Sequence, residues 1–171
     1  LYAPKGIGAL FVRRGRPRIR LTPRFFGGGH ERGLRAGTLP VPLIVGLGKA
    51  AEIASGELSD TGLASLQRLR EHLWLTLDRR LDGVHLNGPA SMRLPNNLNV
   101  SFDGVDSETL IIALSRLAIS TGSACSSEAL KPSHVLAALG HSPVRIHGSI
   151  RFLIGSSTTS PEVIEPFCFL K

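Results

Sequence analysis

Apolar residues recur at spacings of three and four through Leu63, Leu66, Leu69, Leu73 and Leu77. That is the repeat of a helix with one buried stripe. Arg68, Arg70, Arg79 and Arg80 fall off the stripe, and Gly83 ends the helix. A second helix is predicted from Val41 to Ala54, where Pro42 suits a first turn. Asp106 or Ser107 can cap a third, carrying Leu110, Ile111, Leu114 and Leu117. Pro132 and Ser133 start a short fourth, which Gly140 terminates.

Strand patterns fill the gaps between the helices. Ile7 to Val12, led by Gly6, is an apolar run that predicts a buried strand. Ile19 and Leu21 alternate with Arg18 and Arg20, as in a half-exposed strand. Val84–Leu86 is a short strand. Leu98, Val100 and Phe102 alternate with Asn99 and Ser101, and Ile150, Phe152 and Ile154 with Arg151 and Leu153. Gly27, Gly28 and Gly29 open a loop to about Thr38, and a second irregular stretch runs from Ile119 to Lys131. After Gly155 the periodicity fades. Mixed strands and helices give an α/β or α+β class, with a boundary near residues 50–60.

Composition narrows the picture. Of 171 residues, 42% are hydrophobic, enough for a packed core. No apolar run is long enough to span a membrane. The net charge is +7, and residues 1–35 alone hold nine basic groups and one acidic group, Glu31. Such asymmetry suggests nucleic acid, an acidic surface or an anionic ligand. The basic stretch shows no helix-turn-helix, zinc finger or RNP pattern, and Phe25 and Phe26 adjoin rather than interleave with the arginines. The sequence opens on Leu1 and its sole methionine is Met92, so we expect part of a longer polypeptide.

Candidate chemistry lies in three places. Gly27 to Gly33 could cradle an anion or be a structural turn, and it fits neither a P-loop nor G-x-G-x-x-G. Cys125 sits among Ser120, Thr121, Gly122, Ser123, Ala124, Ser126 and Ser127. Those hydroxyls and small residues suit an exposed thiol better than a buried structural one. Two cysteines, Cys125 and Cys168, are too few for a disulfide framework and match no zinc spacing. Arg151 is either a solvated strand residue or a carboxylate clamp, a task that guanidinium geometry suits. The six histidines show no paired metal spacing.

Four ordered motifs carry a family resemblance. They are Leu1-Tyr2-Ala3-Pro4-Lys5-Gly6-Ile7-Gly8, the run from Gly27 to Thr38, the loop around Cys125, and Ser149-Ile150-Arg151-Phe152 with Gly155. Together they resemble the group I, NifS/IscS-type cysteine desulfurases, over about residues 1–159. The resemblance implies the fold-type I pyridoxal-phosphate transferase fold, C-terminal portion only. Residues 1–54 would end the cofactor-binding large domain, and 55–171 would form a small α+β domain.

The implied activity is conversion of L-cysteine to L-alanine, with sulfur left as a persulfide on Cys125. Thr38 would reach the phosphate of pyridoxal 5'-phosphate in the other subunit, and Arg151 would hold the substrate carboxylate. No metal is implied. The implied partners are a second copy in a homodimer, an iron–sulfur scaffold protein, and other sulfur acceptors such as tRNA-thiolation relays. The implied compartment is the cytoplasm, or the mitochondrial matrix in a eukaryote.

Departures from the family qualify this. The Schiff-base lysine should immediately precede Leu1, and Lys5 belongs to the later motif. This chain alone is therefore expected not to turn over cysteine. His30 replaces a common glutamine, and Ala3 stands where glycine is usual. After Thr159 the family's amphipathic helix is expected to give way to Pro161 and Pro166. Two other readings stand beside this one: a truncated partner that accepts sulfur or dimerises, and a basic nucleic-acid-binding domain.

Overall fold

The computed structural model describes residues 1–121 and 132–164. The leucine stripe forms the longest element, α2 (Asp60–Arg80), with Leu73 and Leu77 buried. Two shorter strands follow, β1 (Val84–Leu86) and β2 (Asn97–Phe102). Beyond them come α3 (Ser107–Ala113), α4 (His134–Ala138), α5 (Pro143–His147), β3 (Ser149–Leu153) and α6 (Ser160–Ile164). Before them lies α1 (Val41–Glu57), with Pro42 in its first turn. The chain divides into two units, Leu1–Ser59 and Asp60–Lys171.

In the second unit the strands form one antiparallel sheet in the order β1-β2-β3. The β2–β3 register sets Leu98 against Phe152 and Val100 against Ile150. Successive side chains point to opposite faces, so these four make one apolar face. Leu73 and Leu77 of α2 and Val163 of α6 close over it as the core. The same register pairs Asn99 with Arg151 and Ser101 with Ser149 on the other face. The alternation expected from sequence is therefore present, with Arg151 and Leu153 on the face away from the core.

Local chemistry ends the helices where composition suggests. The Asp106 carboxylate caps α3, accepting from the Thr109 backbone N–H at 2.9 Å and its hydroxyl at 3.0 Å. Those two hydrogen bonds hold the Asp106 carboxyl below its usual pKa. Leu114 and Leu117 lie in turns just past this helix rather than inside it. Ser133 caps α4 and Ser142 caps α5. The sequence pattern did not predict α5, because five residues show no period, although Ser142-Pro143 carries the N-cap and first-turn signals.

Three expectations are corrected. Ile7 to Val12 is not a buried strand: Leu10 is 76% exposed and Phe11 88%. Nor do Arg18 to Leu21 form a strand. A strand requires a neighbour for its backbone N–H and C=O groups, and no described residue pairs with either segment. The stretch after Thr159 does not give up helix at once. Thr159 opens α6 through a capping box, its backbone N–H donating to the Glu162 carboxylate at 2.8 Å.

The first unit is built otherwise. Its N-terminal turn rests on α1, where Pro4 sits so close that a Cβ on Gly46 would lie 2.6 Å from the proline ring. Among its described apolar residues only Ala36 is buried. Arg35 lies over the Phe25 ring at 4.5 Å from the centroid, a cation–π contact.

The burial pattern makes a paired prediction. Leu77, 1% exposed, should cost about 3 kcal/mol when changed to alanine, through lost burial and the cavity left behind. Leu75 on the same helix is 44% exposed, and its alanine variant should cost less than about 1 kcal/mol. Urea unfolding of the two variants beside the parent protein measures both.

Candidate functional site

The β2–β3 pairing positions Arg151 twice over. Across the strand it faces Asn99. On its other side, its backbone N–H donates to the Ser120 carbonyl at 2.7 Å, and the Ser120 N–H returns a bond to the Arg151 carbonyl at 3.2 Å. The chain is thus tied to Arg151 just before the stretch that carries Cys125. Cys125 itself lies outside the described residues, as does Cys168.

The Arg151 guanidinium opens on a cavity of about 330 Å³, whose lining includes Arg93, Asn97, Asn99, Thr121 and Ser133. The Arg151 Nε is buried there and has no hydrogen-bond partner among the described residues. An unmet buried donor costs free energy, and an anion would satisfy it. Arg93 holds the rim by donating from Nε to the Pro89 carbonyl and from Nη2 to the Asn87 carbonyl, both at 2.7 Å. Burial first, and then the charge of Arg70, lowers the Arg93 pKa from its ordinary value. A guanidinium nonetheless keeps its proton in a protein. A larger space of about 720 Å³ is lined mainly by apolar residues such as Leu73, Leu117, Phe152 and Val163, and carries none of the candidate chemistry.

Beside the cavity lies a polar network that the sequence reading missed. The Asn87 side chain, in a residue 4% exposed, donates to Asn99 Oδ1 and Ser101 Oγ, both at 2.7 Å, and to Ser149 Oγ at 3.2 Å. It accepts from Arg145 Nε at 2.9 Å and from Ser101 Oγ at 3.0 Å. Arg145 also donates to the Leu86 carbonyl at 2.9 Å, which ties α5 to β1. Asn87-Gly88 reads in sequence as an ordinary turn signal, so only the fold reveals its burial. Arg70 was likewise missed. It is buried on α2 and donates to the Leu94 carbonyl at 3.0 Å.

Thr38 belongs to the first unit, and it is exposed. It follows Gly37, whose φ of +114° is open to glycine but strained for other residues. Glu31 and Arg32 also take left-handed conformations, at φ 52° and 59°. That costs each about 1–2 kcal/mol, and strain of this kind gathers where a segment meets a ligand or a partner. Among the described residues no group of three His, Cys, Asp or Glu side chains could hold a metal ion, and no helix is long and apolar enough to cross a membrane.

Comparison with known proteins now decides the family. The family model for aminotransferase class-V matches residues 1–165. The chain belongs to the class-V aminotransferase family. It is 52% identical over 163 residues to the cysteine desulfurase IscS of Enterobacter sp. (strain 638), covering 95% of this chain and 40% of that protein. The IscS of Aeromonas salmonicida (strain A449) is 51% identical over the same length. Among solved structures, a NifS-like protein superposes with a TM-score of 0.81 at 36% identity, over 96% of this chain and 41% of the other. A NifS-like protein from Rickettsia africae ESF-5 gives 0.73 at 25% identity, over 87% and 38%. The chain has the fold of these class-V enzymes and spans about 40% of the length of the curated relatives it matches.

The family implies pyridoxal 5'-phosphate, and one described group, on Thr38, has chemistry suited to its phosphate end. The exposed Thr38 hydroxyl is a phosphate donor by chemistry. The aldehyde end needs a free amine, and of the described lysines Lys49 is paired with Glu52 at 2.7 Å. Lys5 lies in the exposed N-terminal turn. No step is assigned to either.

The Asn87 network makes its own prediction. Replacing Asn87 with alanine strands the Arg145 Nε and the Asn99 Oδ1, while Ser101 keeps its bond to the Ser149 hydroxyl at 2.9 Å. The expected loss is about 3 kcal/mol, one to three for a group left unmet. Chemical denaturation measures it, and a loss under about 1 kcal/mol would mean that water replaces the asparagine.

Proposed function

We propose that this chain supplies the substrate-carboxylate and sulfur-accepting parts of a pyridoxal-phosphate-dependent cysteine desulfurase. The observation that carries the reading is the Arg151 Nε, buried without a described partner beside a small cavity, in a chain about half identical to IscS proteins. Residues 1–54 form the end of the cofactor-binding domain, and 55–171 the small domain.

Each residue has a part that its chemistry suits. Arg151 pairs with the carboxylate of L-cysteine and orients the amino acid, a geometry worth far more in a confined site than in water. The Cys125 thiolate attacks the substrate sulfur. A sulfur–sulfur bond forms, the carbon–sulfur bond of the substrate breaks, and a proton on the freed carbon completes L-alanine. The sulfur stays on Cys125 as a persulfide, so no outside oxidant or reductant is needed. Bound pyridoxal phosphate supplies the electron sink that loosens the carbon–sulfur bond. Thr38 donates to the phosphate of the cofactor in the other subunit. The persulfide then serves iron–sulfur scaffold proteins and tRNA-thiolation relays, the enzyme works as a homodimer, and its compartment is the cytoplasm or the mitochondrial matrix.

Assay of alanine from L-cysteine tests the reading. The complete enzyme should form alanine, and the 171-residue chain alone, given pyridoxal phosphate, should not. In the complete enzyme Cys125→Ser should abolish radiolabelled persulfide. Arg151→Lys should lower kcat/KM by about 10- to 100-fold, as a bidentate clamp becomes a point charge. Label that survives Cys125→Ser removes that residue from the account.

A further inference from the structure

The orientation of one amide can be worked out by following donors and acceptors from a group that has no choice. A guanidinium only donates, so the Arg145 Nε at 2.9 Å makes Asn87 Oδ1 an acceptor. That fixes the other end of the Asn87 amide as the donor. It points at Asn99 at 2.7 Å, so Asn99 must present its oxygen there. The Asn99 Nδ2 group, with two N–H donors, is therefore the end not used by the network. It makes no hydrogen bond to any described residue.

Asn99 stands directly across the strand pair from Arg151, and both line the same 330 Å³ cavity. Side chains so opposed have Cβ atoms about 5 Å apart, a span that one carboxylate bridges. The Arg151 Nε is also buried without a described partner. The described lining holds two arginines and no carboxylate. Asn97 Oδ1 is the one unmet acceptor there, and with no partner fixing its amide, Asn97 can turn either end inward. The cavity thus carries unbalanced donors and positive charge.

We propose that Asn99 is a second donor to the substrate carboxylate, sharing it with Arg151, and that Asn87 is the positioning residue that keeps its N–H groups turned inward. This rests on the desulfurase reading in taking an amino-acid carboxylate as the ligand. Asn99 contributes a hydrogen bond to a charged group, which corresponds to about tenfold in affinity.

Calorimetric binding of L-alanine and of L-alaninamide to the complete, cofactor-loaded enzyme tests it. Asn99→Ala should weaken L-alanine about tenfold and leave L-alaninamide within about twofold, because only the first carries the carboxylate. Equal weakening of both ligands would mean a merely structural role and overturn the proposal. If Arg151→Lys weakens L-alanine while Asn99→Ala leaves it unchanged, the proposal fails and the carboxylate reading stands. If neither variant affects L-alanine, both fail. Should Asn99→Ala not fold, Asn99→Ser is read in the same way, its hydroxyl still able to accept from Asn87.

Discussion

The antiparallel pairing of β2 with β3 is the constraint on which the second unit depends. A sheet has a period of two, so a slip of one residue would turn every side chain to the wrong face. With the observed register, Leu98, Val100, Ile150 and Phe152 meet the buried stripe of α2. The same register places Asn99, Ser101, Ser149 and Arg151 together on the opposite face. Core and candidate site are two sides of one hydrogen-bonded ladder. The apolar side holds the register, and the polar side inherits its precision from it.

The polar face survives burial because its groups satisfy one another. Asn87, Ser101 and Ser149 are buried, and each would destabilise the fold if left without a partner. Joined through Asn87, they link β1, β2, β3 and α5. Where that mutual satisfaction stops, at Arg151 and Asn97, the cavity begins. The edge of a satisfied network is where a ligand can add hydrogen bonds without displacing any, and a rigid strand pair holds the donors in place while it does so.

The first unit follows a different physical logic. Its apolar residues are too often exposed to form a core of their own, with Ala36 the buried exception among those described. Residues 1–35 hold nine of the 20 Lys and Arg residues against one acidic group, and their strand-like sequence finds no described neighbour to pair with. The segment from Gly27 to Thr38 is held locally by turns and by the contact between Arg35 and Phe25. The left-handed Glu31 and Arg32 store strain there.

Local pattern by itself determined much of this protein. The leucines of α2, the alternation in β2 and β3, Pro42 at the start of α1, and the caps at Asp106 and Ser133 all depend on residues a few positions apart. The resemblance to a desulfurase rests on short motifs that need no fold to be seen, and family comparison agrees with it. Strand pairing was decided only by tertiary structure, because a ladder partner lies far away in sequence. Ile7 to Val12 has the composition of a strand and no described neighbour, whereas Ile150 to Phe152 has both. Nor does sequence mark which asparagine will be buried. Asn87, Asn97 and Asn99 look alike until the register brings Asn99 across from Arg151 and the Arg145 guanidinium orients Asn87. Local rules determine an element from its own residues, but a site arises where elements distant in sequence meet.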